Sequence, residues 1–309
     1  MRYDQDGFPI SPEFEIPKEQ PEPKNETVAA APVRRVAGPR KRIFLIAVIL
    51  GVIVPLLLVP VVMPMIRDAV VLWSLQQAAI SEVEDDLPSA VGHMSRAIDW
   101  HGRNPELLCM RAMLRLEAQD SQGAIADAQL ASDESPTSPL PVRTRAIAHV
   151  VAGQPREALD AAELAVRLSG PNSPEALNHR AYIRALTGQD LSEALEDIEN
   201  ALHARNDRPV EFLDTRGFIL HLLGRQQEAI DQLNLAIDGM RRQRRQAMLL
   251  ARQVDQIELA RRLRWFDHSL AVMHHHRALA CREIGLEAQS QQDFEIAKQK
   301  GFDPQRGIF

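Results

Sequence analysis

Small residues return along this chain in a frame of roughly 34 positions, and that recurrence constrains the fold more than any other feature. A small-x3-large-x2-small pattern appears as Ala90/Met94/Ala97, Ala194/Ile198/Ala201 and Ala229/Leu233/Ala236. Ala124/Ala128/Ala131 and Ala158/Ala162/Ala165 keep the spacing with alanine in the middle, and Ser290/Phe294/Ala297 closes the series. Upstream of each group sits another small residue: Ala112, Ala146, Ala181, Gly217 and Ala278. Spacings of three and four put such residues on one helix face, where the short side chains let two helices approach closely. Turn signals divide each unit in two, at Gly153-Gln154-Pro155, Gly188-Gln189-Asp190, Gly224-Arg225 and Gly285. With 5% aromatic residues the core must be built from Ala, Leu, Ile, Val and Met, and 15 glycines in 309 residues argue against a sandwich or barrel with many tight turns.

This pattern resembles the tetratricopeptide repeat, a helix–turn–helix unit of about 34 residues, over roughly residues 74–309. The fold class expected is therefore all-α: a solenoid of helical hairpins. The resemblance implies a right-handed superhelix with a concave inner face, each unit burying its apolar side on its neighbours. A partial unit, Ser74–Asn104, comes first, and full units begin near Pro105, Pro139, Pro174, Val210 and Ala271. The family's tryptophan position is held by Leu108, Val142, Leu177 and Leu213. Family groove positions fall on Cys109, Met113 and Leu116, then Arg143 and Ile147, then Asn178 and Tyr182. Later units contribute Asp214, Phe218 and His221, and finally His275, Leu279 and Arg282. The lysine–asparagine set with which some family members clamp a C-terminal carboxylate is missing. An apolar lining with scattered polar groups suits an extended or helical peptide.

A different feature precedes the repeats. Ile43 to Ile66 contains no charged residue and would reach roughly 36 Å as a helix, enough to cross a bilayer core of about 30 Å. Prolines 55, 60 and 64 are tolerated in membrane helices. Arg34, Arg35, Arg40, Lys41 and Arg42 precede the run, and Glu82, Glu84, Asp85 and Asp86 follow it. The positive-inside rule then places the N-terminus in the cytoplasm and the repeats on the extracytoplasmic side of an inner (cytoplasmic) membrane. A cleaved signal peptide fits less well, because the polar lead-in is long and no A-x-A site follows. Residues 1–42 hold seven prolines with eight basic and seven acidic side chains, a composition expected of a disordered cytoplasmic tail.

One interval breaks the frame. Ala236 and Ala278 are 27 positions farther apart than the repeat allows, and the excess, about 237–264, keeps helical spacing through Met248, Ala251, Val254, Ile257, Ala260 and Leu263. It reads as an elongation of the flanking helices or an added helix. Arg241, Arg242, Arg244, Arg245, Arg252, Arg261, Arg262 and Arg264 stand there against Asp238, Asp255 and Glu258. Two readings stand side by side: a solvated face whose arginine stems cover apolar surface, and a basic docking surface for an acidic partner or lipid headgroups.

Chemistry is not legible in the remainder. Neither a nucleotide-binding glycine loop nor a G-x-S-x-G elbow occurs. His274-His275-His276 is no metal tract on a helix, because adjacent residues point to different faces and three or four converging ligands are needed. No cofactor and no metal are expected. Cys109 and Cys281 match no metal or redox spacing. A net charge of −6 offers no general attraction to nucleic acid. The expectation is a non-catalytic, membrane-anchored adaptor whose partner is another protein or a peptide segment. A cytoplasm-facing scaffold is the alternative, and an enzyme with a site in the arginine-rich insert is a weaker one.

Overall fold

The computed structural model describes residues 39–303. Of the tail expected over residues 1–42, residues 1–38 lie outside the described residues, as does Pro304, whereas 39–42 are helical. The chain divides into two compact units, Met1–Val59 and Pro60–Phe309. In the first, helix α1 spans Pro39–Val48 and is followed by a π-helical turn, Ile49–Ile53. Helix formation thus starts at Pro39, four residues before the uncharged run. Val54 N–H closes that widened turn by bonding back to the Ile49 carbonyl, directly before Pro55, which has no N–H to offer the helix. Helix α2 spans Val54–Val83 and carries Pro60 and Pro64 inside it. Within Arg40–Val83 an 18-residue stretch has a mean hydropathy of 3.1 with none of it buried, and the helix is long and apolar enough to cross a membrane.

From the end of α2 onward the second unit is an array of antiparallel hairpins, and no strand occurs among the described residues. The hairpins pair α2 with α3 (Leu87–His101), α4 (Pro105–Glu117) with α5 (Ser121–Glu134), and α6 (Pro139–Val151) with α7 (Pro155–Ser169). Next come α8 (Pro174–Thr187) with α9 (Leu191–His203), α10 (Val210–Leu222) with α11 (Gln226–Leu249), and α12 (Gln256–Glu283) with α13 (Glu287–Gln299). Helix starts are written locally. Pro105, Pro139, Pro155 and Pro174 occupy first-turn positions, where no N–H is needed. Asp86, Asn104, Asp120, Ser173 and Asp255 accept bonds from first-turn amides. The hairpin turns need a left-handed residue, supplied by Gly188 at φ 65° and Gly224 at φ 79°. Gln119 takes the same conformation at φ 63°, which is why glycine spacing does not mark that turn.

The small residues form the contact between paired helices. Ala112, Ala124, Ala128, Ala146, Ala158, Ala162, Ala181, Ala194, Ala229, Ala236 and Ala278 are fully buried, as is Ala131. A β-carbon on Gly217 would lie 2.6 Å from Leu233 Cγ, so α10 and α11 meet there with no room to spare. Leu108, Val142, Leu177 and Leu213, at the family's tryptophan position, are all buried. The first hairpin is a full one: Ala78 at the end of α2 packs with Ala90, Met94 and Ile98 of α3 and with Leu107 and Leu108 of α4.

The insert resolves into longer flanking helices. Helix α11 runs to Leu249, α12 begins at Gln256, and a single 3-10 turn, Ala251–Gln253, lies between them. Ala247, Leu259 and Phe266 are buried along this extension, which continues the core of Leu213, Met240 and Leu270.

These contacts set an ordering of stabilities. Ala229→Glu is expected to cost several kcal/mol, because the carboxylate has no partner at that contact. Gly217→Ala is expected to cost about 1–3 kcal/mol through overpacking on Leu233. Gly92, exposed in α3 with open space around it, should accept alanine with a gain of about 0.5–1 kcal/mol. Denaturant unfolding of the full chain in detergent, followed by circular dichroism, measures all three; Gly217→Ala matching Gly92→Ala would show that the α10–α11 contact is looser than drawn.

Candidate functional site

The first helices α4, α6, α8, α10 and α12 contact one another from unit to unit and make one continuous wall. Their shared orientation comes from the small-residue contact with the second helices, which turns one flank of each first helix away from its partner. The groove positions divide by burial. Met113, Arg143, Ile147, Asn178, Tyr182, His221, His275 and Leu279 are half-buried, and Arg282 is exposed. Cys109, Leu116, Asp214 and Phe218 are buried, so these four belong to the core rather than to an open lining.

Tyr182 and Phe218 are brought together as adjacent units require, with ring centroids 6.5 Å apart. Phe218 is not free, however. The His276 ring stacks on it at 4.1 Å, and the His221 ring centroid lies 6.5 Å from its own. His276 bonds through Nδ1 to Asp214 Oδ1 at 2.9 Å, while its Nε2 is buried without a partner. Burial, with Asp214 nearby, holds the Tyr182 hydroxyl well above the usual phenol range. The three consecutive histidines point three ways. His274 turns into its own hairpin, His276 to the preceding unit, and His275 to Phe302, with which it stacks at 4.3 Å. Phe302, from the segment after α13, therefore covers the last groove position. Burial and the neighbouring charges of His276, Arg282 and His221 push His275 down to about 4. Among the described residues no group of three or more His, Cys, Asp or Glu side chains is placed to hold a metal ion.

A polar patch lies between the third and fourth units. Arg143 Nε and Asn178 Oδ1 are buried without a hydrogen-bond partner. His179, next to Asn178 in the chain, is buried and sits beside the Arg143 charge; burial first, then that charge, push it down to about 3. Sequence spacing selected Arg143 and Asn178 but not His179.

Between the first and second helices of three hairpins runs an ion-pair system that the spacing of small residues does not announce. Arg111 holds Asp127 through two bonds of 2.8 and 2.6 Å, Arg180 holds Asp197 at 2.8 and 2.7 Å, and Arg277 holds Asp293 at 2.8 and 2.7 Å. Arg115 and Arg184 add a second cation to the first two. In the last unit His274 Nδ1 lies 2.6 Å from Asp293 Oδ1, and Arg241 Nη2 lies 3.2 Å from His274 Nε2. A guanidinium can only donate, so Nε2 accepts and Nδ1–H donates to Asp293. Burial would raise the Asp293 carboxyl, but the bonds from His274 and Arg277 outweigh it and hold it below the usual carboxylate range.

The arginines of the insert are mostly engaged. Arg244 meets Asp267 at 3.0 Å, Arg241 reaches Asp238 at 4.0 Å, and Arg262 reaches Glu258 at 3.7 Å. Arg261 pairs with Glu82 at 3.1 Å, and Arg264 with Asp85 at 3.1 Å and Glu117 at 2.8 Å. Arg242, Arg245 and Arg252 have no ion-pair partner among the described residues and are exposed.

With pitch, hairpin geometry and buried small-residue contacts in place, the array can be classed. It is an all-α solenoid of helical hairpins. No family model matches the chain, nor does any curated protein. Solved structures that resemble it include a tetratricopeptide repeat protein from Parabacteroides merdae, 16% identical over 76% of this chain and 94% of that one, with a TM-score of 0.44. TTC0263, a thermophilic repeat protein of Thermus thermophilus, is 20% identical over 56% of this chain and 90% of that one, at 0.47. Yeast Tom70 is 18% identical over 68% of this chain and 43% of that one, at 0.42.

His179 supplies a pH test. Its value is about 6.5 in the unfolded chain and about 3 in the fold, so only the unfolded state binds its proton between those limits. The stability it permits is complete above 6.5 and is lost progressively as pH falls toward 3. His179→Asn should flatten the dependence of the denaturation midpoint on pH between 6.5 and 4 by up to one proton, leaving the share due to His275. An unchanged slope would mean that His179 is not held neutral by burial.

Proposed function

We propose that this chain is a single-pass, membrane-anchored interaction scaffold that is non-catalytic and presents its solenoid outside the cytoplasm to another protein. The observation that carries the reading is the union, in one chain, of an apolar helix with a repeat array whose inner wall holds Met113, Ile147 and Tyr182 half-buried. A wall of separated apolar and aromatic side chains with polar groups between them suits a peptide segment held by a few anchors. The charge asymmetry across the apolar run, five basic residues before and four acidic after, supports a cytoplasmic N-terminus. Residues 1–42 serve on this reading as a tail on the cytoplasmic face, and 43–66 as the anchor in the lipid bilayer. Nothing in the site calls for a cofactor or for nucleic acid.

Two measurements test this. A photo-crosslinking residue at Ile147 should trap one discrete partner in membranes, whereas the same residue at Asp160, exposed on the second helix of that hairpin, should trap none. Adducts from position 160 alone would move the binding face to the other side of the solenoid. Alkaline phosphatase fused at Phe309 should be active, and a fluorescent protein there dark; the reverse pair of results would place the repeats in the cytoplasm.

A further inference from the structure

The insert does more than lengthen one hairpin. Arg261 and Arg264 reach Glu82, Asp85 and Glu117, partners up to 179 residues away. Glu82 lies in the last turn of α2, Asp85 in the turn that follows, and Glu117 at the end of α4, whereas both arginines lie on α12. These are the first helices of the first, second and last hairpins, and the helices between them, α6, α8 and α10, form the wall. Side chains that join the two ends of an array require it to bend toward the side they bridge, so the linked side is the concave one. The extension therefore passes in front of the inner wall.

Its grip there is electrostatic. No close helix-to-helix packing joins α12 to α4; long side chains make the contact. Beside Glu82 the extension carries an open cavity of about 640 Å³ lined by its own Ala247, Leu250, Arg261, Trp265 and Phe266, and by none of the wall residues. The arginine side chains are about a third exposed and their carboxylate partners reach 60% exposure, so these pairs are individually weak and open to screening.

We infer that the α11–α12 extension is a strap across the concave face, closed by the Arg261–Glu82, Arg264–Asp85 and Arg264–Glu117 pairs. It must release its carboxylates before a bulky molecule reaches the wall. This deepens the reading of the concave face as the binding surface and rests on it. The test uses no partner, so its failure is distinguishable from failure of that reading.

The full chain in nanodiscs, with the buried Cys109 and Cys281 replaced by alanine, carries spin labels at Glu84→Cys and Leu249→Cys, both exposed positions. Low salt should give one narrow, short distance. About 1 M salt, where the Debye length falls to about 3 Å, should broaden and lengthen it, as should Arg261→Glu with Arg264→Glu at low salt. Exchanging the charges in one pair, Arg261→Glu with Glu82→Arg, should keep the short distance. In parallel, a 5 kDa maleimide should label Ile147→Cys at least tenfold faster in the double-reversal variant, with the rate at Asp160→Cys unchanged. A distance indifferent to salt and to charge reversal overturns the strap. Equal labelling of Ile147→Cys in the closed and opened forms overturns its role as a barrier.

Discussion

Everything in the solenoid depends on two helices coming close enough to touch through alanine. At Ala112, Ala128, Ala158, Ala181, Ala194 and Ala229 no side chain holds the backbones apart, and none of these residues has any exposed surface. This contact sets the angle within each hairpin and hence which flank of each first helix turns outward to form the wall. Its energetic weakness is equally consequential. A buried methyl group contributes only about 0.8 kcal/mol, whereas ordering a residue's backbone costs roughly 1–2 kcal/mol. No hairpin built this way can stand alone, and stacking of units has to supply what the pair lacks.

The ion pairs are a second consequence. An arginine stands directly before the small residue of the first helix in every full unit, at Arg111, Arg145, Arg180, Arg216 and Arg277. Being adjacent to the contact, it points along the seam between the two helices. Where the second helix offers an aspartate, at Asp127, Asp197 and Asp293, the arginine clasps its own hairpin. The matching positions in the other two units are Ala161 and Gln232, and there the arginine reaches back to the preceding unit, Arg145 to Gln129 and Arg216 to Glu199. The same residue thus ties the hairpin internally in three units and reaches the preceding unit in the other two, and Arg111 and Arg277 do both, through Ser95 and Asn234. Buried pairs of this kind specify alignment more surely than they add stability, since most of the Coulombic gain offsets desolvation.

How much could be read beforehand follows from the range of each interaction. Helix spacing, proline at helix starts and glycine at turns are local, so the hairpins and their order are legible along the chain. The arginine before each small residue was equally legible and repeats as faithfully as the alanines, but it becomes meaningful only beside a carboxylate on the facing helix. Groove positions transferred by register fall on the first helices, yet register cannot tell that Phe218 would be roofed by His276 or that Phe302 would fold back over His275. Those outcomes depend on the neighbouring unit and on the segment after α13. The insert was legible as helix, whereas the partners of Arg261 and Arg264 lie too far away in sequence for any period to reveal.

That last contact changes what kind of object the array is. In a repeat protein whose units touch only their neighbours, stability is close to a sum of local terms, and unfolding can begin at either end. A link between the last hairpin and the first couples the two ends. The first hairpin, which would otherwise have a neighbour on one side alone, gains a tether through Glu82 and Asp85, and the extension of α12 gains support beyond its own hairpin. Because the tether is made of charges and not of apolar surface, it adds little to the energy of the closed form. Its effect is on access and curvature: screening the charges removes the tether while the alanine contacts that define each unit stay intact. The inner wall can then open without any hairpin unfolding, which a hydrophobic closure of the same two ends would not allow.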